Sequence, residues 1–95
     1  MTTTAGERMT ATLRARLTEA FDPDHLEVID ESEAHRGHGG WREGGGTHFR
    51  VVMRSARLDG LTRVERSRAV HRALAAELAG GVHALSLELS GSPAG

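Results

Sequence analysis

Apolar residues recur every fourth position near the start of the chain, at Met9, Leu13, Leu17 and Phe21. That period places them on one stripe of a helix. Thr4-Ala5-Gly6-Glu7 ahead of the stripe reads as a capping box, so the helix starts near Thr4. It ends at Pro23, because Asp22, the residue before a proline, avoids the helical region. Leu26-Glu27-Val28-Ile29-Asp30 predicts a short strand, and residues 31–46 predict a loop. Six of the ten residues from 37 to 46 are glycine, so that stretch is expected to be mobile in the isolated chain. From Thr47 to Arg54 the pattern switches to strict alternation, with Phe49, Val51 and Met53 inward and Arg50 and Arg54 outward.

Asp59-Gly60 marks a turn, and Thr62-Arg63-Val64-Glu65 is a second capping box that opens a second helix. Val70, Leu74 and Leu78 supply its buried stripe, and Gly80-Gly81 ends it. A last strand runs from Val82 to about Leu89, with Leu85, Leu87 and Leu89 on one face. Residues 1–90 read as one domain and residues 91–95 as a disordered tail. The order is α-β-β-α-β, an α+β fold. The first two strands are expected to pair antiparallel. The second and third, joined through a helix, pair parallel by a right-handed crossover. Both helices then cover one face of a three-stranded mixed sheet.

Composition narrows the chemistry. A 95-residue chain buries only about 60–65% of its unfolded surface. A partner or metal can therefore matter to its stability. Twelve basic against thirteen acidic residues leave a net charge of −1, which gives no general attraction to nucleic acid. No cysteine is present, which excludes disulfides, thiolate nucleophiles and all-cysteine zinc sites. A soft metal cluster would need thiolates from elsewhere. No membrane span or apolar signal core is evident, so a cytoplasmic protein is expected. No nucleophile elbow, P-loop or dinucleotide fingerprint appears, and no enzymatic activity is expected.

The expected topology gathers histidines. Parallel pairing puts the starts of strands two and three at the same sheet edge. His48 and His83 then lie beside the loop that carries His35 and His38. Neutral imidazole is the commonest protein metal ligand, and this set is adaptable but incomplete. The alternatives are exposed loop histidines and a His83 that caps the carbonyls of the second helix. His48 in the same way reads as a strand residue on the open face of the sheet. Asp30-Glu31-Ser32 ends strand one by turning the chain, and its carboxylates are candidates to orient a ligating imidazole.

Several short blocks in order resemble the BolA family: Leu26-Glu27-Val28, Asp30-Glu31-Ser32, Thr47-His48-Phe49, then Gly60, Arg66 and Arg68, then Val82-His83-Ala84-Leu85. The resemblance runs from about Met9 to Leu89. It implies a fold similar to a class II KH domain. It also implies a heterodimer with a monothiol glutaredoxin of the CGFS type that shares a 2Fe–2S cluster, none being held by the isolated chain. By that resemblance His83 is the metal ligand from the last strand and His35 the ligand from the loop, with His38 competing for the second place. An imidazole ligand predicts weaker cluster binding below about pH 6, since unperturbed imidazole titrates near 6.5. The family usually reads Arg-His-Arg in the second helix, where this chain has Arg66-Ser67-Arg68. That departure leaves the ligand positions untouched and puts the second-helix surface in question.

BolA-like proteins are also described as transcriptional regulators. Arg57, Arg63, Arg66, Arg68 and Arg72 crowd the second helix and its approach, and such a stripe suits a phosphate backbone. DNA binding through Arg63, Arg66, Arg68 and Arg72 is therefore the alternative. The bland counterpart is a solvated helix face paired with acids such as Glu65. Gly37-His38-Gly39-Gly40 matches the G-x-x-G string of KH domains but lies between strands rather than helices. Trp41 on the glycine loop suits stacking on a base or packing against a partner protein.

Overall fold

A computed structural model of the protein describes residues 4–32 and 46–92. The chain forms α1 (Ala5–Phe21), β1 (His25–Asp30), β2 (His48–Arg54), a 3-10 turn (Ala56–Leu58), α2 (Arg63–Ala73), α3 (Ala75–Ala79) and β3 (Ala84–Ser90). The sheet order is β1-β2-β3, with β1–β2 antiparallel and β2–β3 parallel. The α+β class and the mixed three-stranded sheet follow the sequence pattern, and the order is compatible with a class II KH-like arrangement.

Both helix starts obey their capping boxes. The Glu7 N–H donates to Thr4 Oγ1 and the Thr4 N–H to Glu7 Oε1. Thr62 and Glu65 repeat the exchange at 3.1 and 2.8 Å. The hydrogen bonds from Thr62 lower the Glu65 carboxyl below its ordinary range. The C-terminus of α1 is held by side chains from elsewhere. The Ser55 hydroxyl donates to the Phe21 carbonyl, and Arg57 Nη1 donates to the Ala20 carbonyl. These satisfy acceptors that every helix end leaves open. Asp22 takes the left-handed conformation at φ 42°, and Pro23 follows where no further helical donor is needed.

The core lies between the helices and one face of the sheet. Leu13, Leu17 and Phe21 of α1 meet Phe49, Val51 and Met53 of β2, and Val70 and Leu74 close the other side. Each fully buried side chain of this size contributes roughly 1.5–3 kcal/mol. Leu58, from the 3-10 turn, is also fully buried. The second helix differs from the expected continuous one. It breaks at Leu74, whose φ of −106° and ψ of 17° lie outside the helical region. Ala73, Ala75 and Ala76 are strong helix formers, so local propensity does not cause the break. Leu74 is itself fully buried, and the break accompanies its seating in the core.

Two boundaries also moved. β3 begins at Ala84 rather than Val82. The expected tail is held as far as Ser92, whose N–H and hydroxyl both donate to the Asp59 carboxylate. Residues 93–95 lie outside the described residues. The Ser92 hydroxyl first, then the Ser92 N–H, and lastly the charge of Arg66 lower the Asp59 carboxyl below its ordinary range, while burial opposes them. A lowered carboxyl favours the fold above the ordinary carboxylate range, and that contribution fades as pH falls through the lowered value. The clamp is therefore intact at neutral pH.

One charge is nearly buried. Glu77 of α3 is 7% exposed, and its partner Arg16 of α1, at 3.4 Å, is 53% exposed. Glu77 Oε1 has no hydrogen-bond partner among the described residues. Arg16→Ala is expected to cost about 1–2 kcal/mol, because it strands a desolvated carboxylate whose cation was already partly screened by water. Urea unfolding measures this, and Glu77→Gln added to Arg16→Ala should return part of the loss.

Candidate functional site

The sheet edge that carries the candidate ligands is built around one serine. Asp30 ends β1, and its Oδ1 accepts the Ser32 N–H at 2.9 Å and also the Ser32 hydroxyl. This is an Asx-type turn. Asp30 Oδ2 accepts the Gly46 N–H at 3.1 Å. Ser32 is 1% exposed, and its Oγ accepts the N–H groups of Thr47 and His48 at 3.0 and 3.1 Å. The two ends of segment 33–45 are thus tied to the same start of β2. Gly46 sits at φ 85°, a conformation that suits glycine.

The proton of Ser32 goes to Asp30. The Thr47 hydroxyl donates to Ser32 Oγ at 3.2 Å and lies 2.8 Å from His48 Nδ1. His48 alternates with the inward Phe49 onto the open face of the sheet, as expected, and is buried there at 6% exposure.

His83 sits opposite Thr47. Its N–H donates to the Thr47 carbonyl at 2.7 Å, and the next residue, Ala84, pairs with His48. The backbone is therefore fixed although His83 precedes β3 instead of lying within it. The imidazole is exposed and makes no hydrogen bond to a described residue. It does not cap the second helix, since the N–H groups of Gly80 and Val82 take the Glu77 carbonyl there. His35, His38 and Trp41 lie outside the described residues, as does the Gly37–Gly40 string. Asp30 and Glu31 do not orient His83. Asp30 is occupied by the turn, and Glu31 faces Arg50 at 3.9 Å. Among the described residues no three histidine, aspartate or glutamate side chains come together to hold a metal ion. With no cysteine in the chain, the exposed candidate donor at this edge among the described residues is the imidazole of His83.

The arginines do not form one stripe. Arg63 and Arg66 border a groove between α2 and β3, whereas Arg68 and Arg72 line an adjoining depression with Val64, the two meeting at Ser67 and His71. Arg66 is half-buried and donates through Nε to the Leu58 carbonyl at 3.2 Å. Arg57 is spent on the end of α1. The remaining histidines are elsewhere, His25 against Glu27 and His71 against the Ser67 carbonyl. No helix among the described residues is long and apolar enough to cross a membrane.

The profile of a family described as BolA-like protein matches residues 17–92. The chain belongs to the BolA-like family. It is 44% identical over 78 residues to the mouse "BolA-like protein 1", covering 82% of this chain and 54% of that protein. The chain thus spans about half the length of that relative. It is 39% identical over 75 residues to the "DNA-binding transcriptional regulator BolA" of Vibrio cholerae, covering 79% of this chain and 67% of that one. Its fold superposes on the BolA domain of SufE1 from Arabidopsis thaliana with a TM-score of 0.78 and 35% identity, covering 86% and 90% of the two chains.

The serine hub was legible in this BolA-like chain only as the turn motif Asp30-x-Ser32; its grip on β2 was not. Ser32→Ala is expected to cost about 2–4 kcal/mol, because it leaves two N–H groups and an aspartate without their partner. Urea unfolding with an unchanged m-value is the check. An unmoved midpoint would show that water replaces the hydroxyl.

Proposed function

We propose that this BolA-like chain is a binding protein that pairs with a CGFS-type monothiol glutaredoxin and shares a 2Fe–2S cluster with it, in cluster trafficking or iron regulation. The observation that carries this reading is His83. Its backbone is pinned at 2.7 Å to Thr47, while its ring is exposed and makes no hydrogen bond among the described residues. His83 is the fixed ligand. The second ligand is His35, with His38 as the competing choice, from the segment whose ends are tied to Asp30, Ser32 and β2. A donor set without thiolate cannot complete an iron–sulfur site alone, so the partner must bring the sulfur ligands. When bound, such a cluster supplies reversible one-electron chemistry and a transferable iron–sulfur unit. The residues of this chain do the binding. Thr47 holds the backbone of His83, and Ser32 holds Thr47 in turn.

A second reading has its own support. Arg63, Arg68 and Arg72 are exposed, and a relative from Vibrio cholerae bears the name of a DNA-binding regulator. Arg66 gives its Nε–H to Leu58 and keeps its other guanidinium donors, so all four arginines can contact phosphate. Four contacts predict a shallow salt dependence, a slope of about −4 in log affinity against log salt.

The deciding test titrates the chain into cluster-loaded monothiol glutaredoxin, followed by visible absorption and circular dichroism. A changed spectrum at one-to-one stoichiometry is expected, and His83→Ala should abolish it while leaving the unfolding midpoint unmoved. Acid should also erase the changed spectrum, because an imidazole ligates only as the neutral base. An unaltered spectrum with the wild-type chain would transfer the assignment to the arginine surface.

A further inference from the structure

β3 is an edge strand, paired on one side only with β2. The Ala84 N–H donates to Thr47, and the Ser90 carbonyl accepts from Ser55. Backbone polar groups alternate sides along a strand. The even-numbered residues therefore face β2, and Leu85, Leu87 and Leu89 turn their N–H and carbonyl groups outward. Among the described residues no side chain reaches these groups. The other edge differs, since Arg14 of α1 donates to the Leu26 carbonyl of β1. The same three leucines are half-buried, and they floor a groove of about 860 Å³ against α2. A long edge with neither lysine nor proline to blunt it invites strand pairing.

We propose that the outer edge of β3 takes up an extended segment of a partner protein as a fourth strand, apolar at its middle and acidic at its ends. The edge demands a peptide, because each outward leucine offers one donor and one acceptor, and a nucleic-acid phosphate backbone, which only accepts, would leave the leucine carbonyls without a donor. Apolar side chains on the helix side of the added strand would meet Leu61, Leu85, Leu87 and Leu89. Charge selects the partner. Arg63 stands free on the rim, with Arg66 beside it and His71 further along α2. The acids nearby are spoken for, Glu88 by Arg50 at 3.1 Å and Asp59 by Ser92. A second copy of this chain fits poorly. Antiparallel pairing of two β3 strands puts both α2 helices on the same face and sets two cationic rims against each other. This site does not depend on His83 or on a metal.

The test uses the full chain and the heptapeptide acetyl-Glu-Thr-Val-Thr-Val-Thr-Glu-amide, whose alternate positions place both valines and both glutamates on one face. Amide exchange and ¹⁵N shifts are read residue by residue. In the free chain the Leu85, Leu87 and Leu89 amides should exchange at least about 100-fold faster than Val51, and the peptide should slow them. Binding should weaken about 10-fold when lysine replaces both glutamates, and Arg63→Glu should reverse that preference. Arg63→Glu is compatible with the fold, because an acidic residue suits the first turn of a helix. Protected leucine amides in the free monomer would overturn the proposal. So would indifference to peptide charge, no shift with either peptide at about 2 mM, a concentration-dependent dimer that protects the same edge, or perturbation of these amides by oligothymidine in place of the peptide.

Discussion

The Thr47 peptide group is where the structure converges. Its carbonyl receives the N–H of His83, its N–H is held by Ser32, and its hydroxyl meets the ring of His48. A parallel pair of strands has no hairpin to set its register. The β2–β3 register depends on where the chain re-enters the sheet after α3, and that re-entry is the bond from His83 to Thr47. The serine below it performs the same service on the other side of β2. Its hydroxyl bridges the end of β1 to the first residues of the central strand, so both neighbours of β2 are fixed at one end by adjacent residues. Position, more than chemistry, is what the fold supplies to the candidate ligand.

This arrangement separates stability from binding. The core lies on the helical face of the sheet, packed by Leu13, Leu17, Val51, Val70 and Leu74. The exposed ring of His83 stands at the sheet edge, and among the described residues His83 is bonded only through its backbone. Replacing that ring removes nothing from the core, whereas replacing Ser32 disturbs a buried network. The two substitutions thus probe different layers of the same edge, and their contrast distinguishes a residue that binds from one that positions.

Much of the fold could be read from the chain because its local signals agree. The capping boxes at Thr4 and Thr62 mark both helix starts, and the alternation through Phe49, Val51 and Met53 marks the inward face of β2. Agreement between local preference and global fold is what makes such reading possible. The misses have the opposite character. The break at Leu74 runs through good helix formers and has only tertiary context behind it. Leu58 enters the core from a three-residue turn too short to show a period. Arg66 looks like a free cation in sequence, but its Nε is bound to a carbonyl eight residues earlier. Ser92 reads as a tail residue and is held by Asp59. For the site, topology placed His83 beside the start of β2. The extra burial of His48 and the role of Ser32 depend on contacts that no spacing rule encodes.

The division of the arginines bears on how one small domain can serve more than one partner. On α2, Arg63 and Arg66 face the β3 groove, while Arg68 and Arg72 fall on another side of the helix. A helix advances 100° per residue, so Arg63 and Arg66 lie about 60° apart while Arg68 and Arg72 turn about 140–180° away from Arg63. The result is a cationic rim along an apolar groove, a second cationic patch beyond it, and an exposed imidazole at the sheet edge. Net charge near zero hides this segregation. A partner that docks at the histidine edge leaves the α2 patch open. A strand added to β3 would run toward His83, because β3 begins at the residue that follows it. The groove and the histidine edge are therefore distinct surfaces on contiguous backbone.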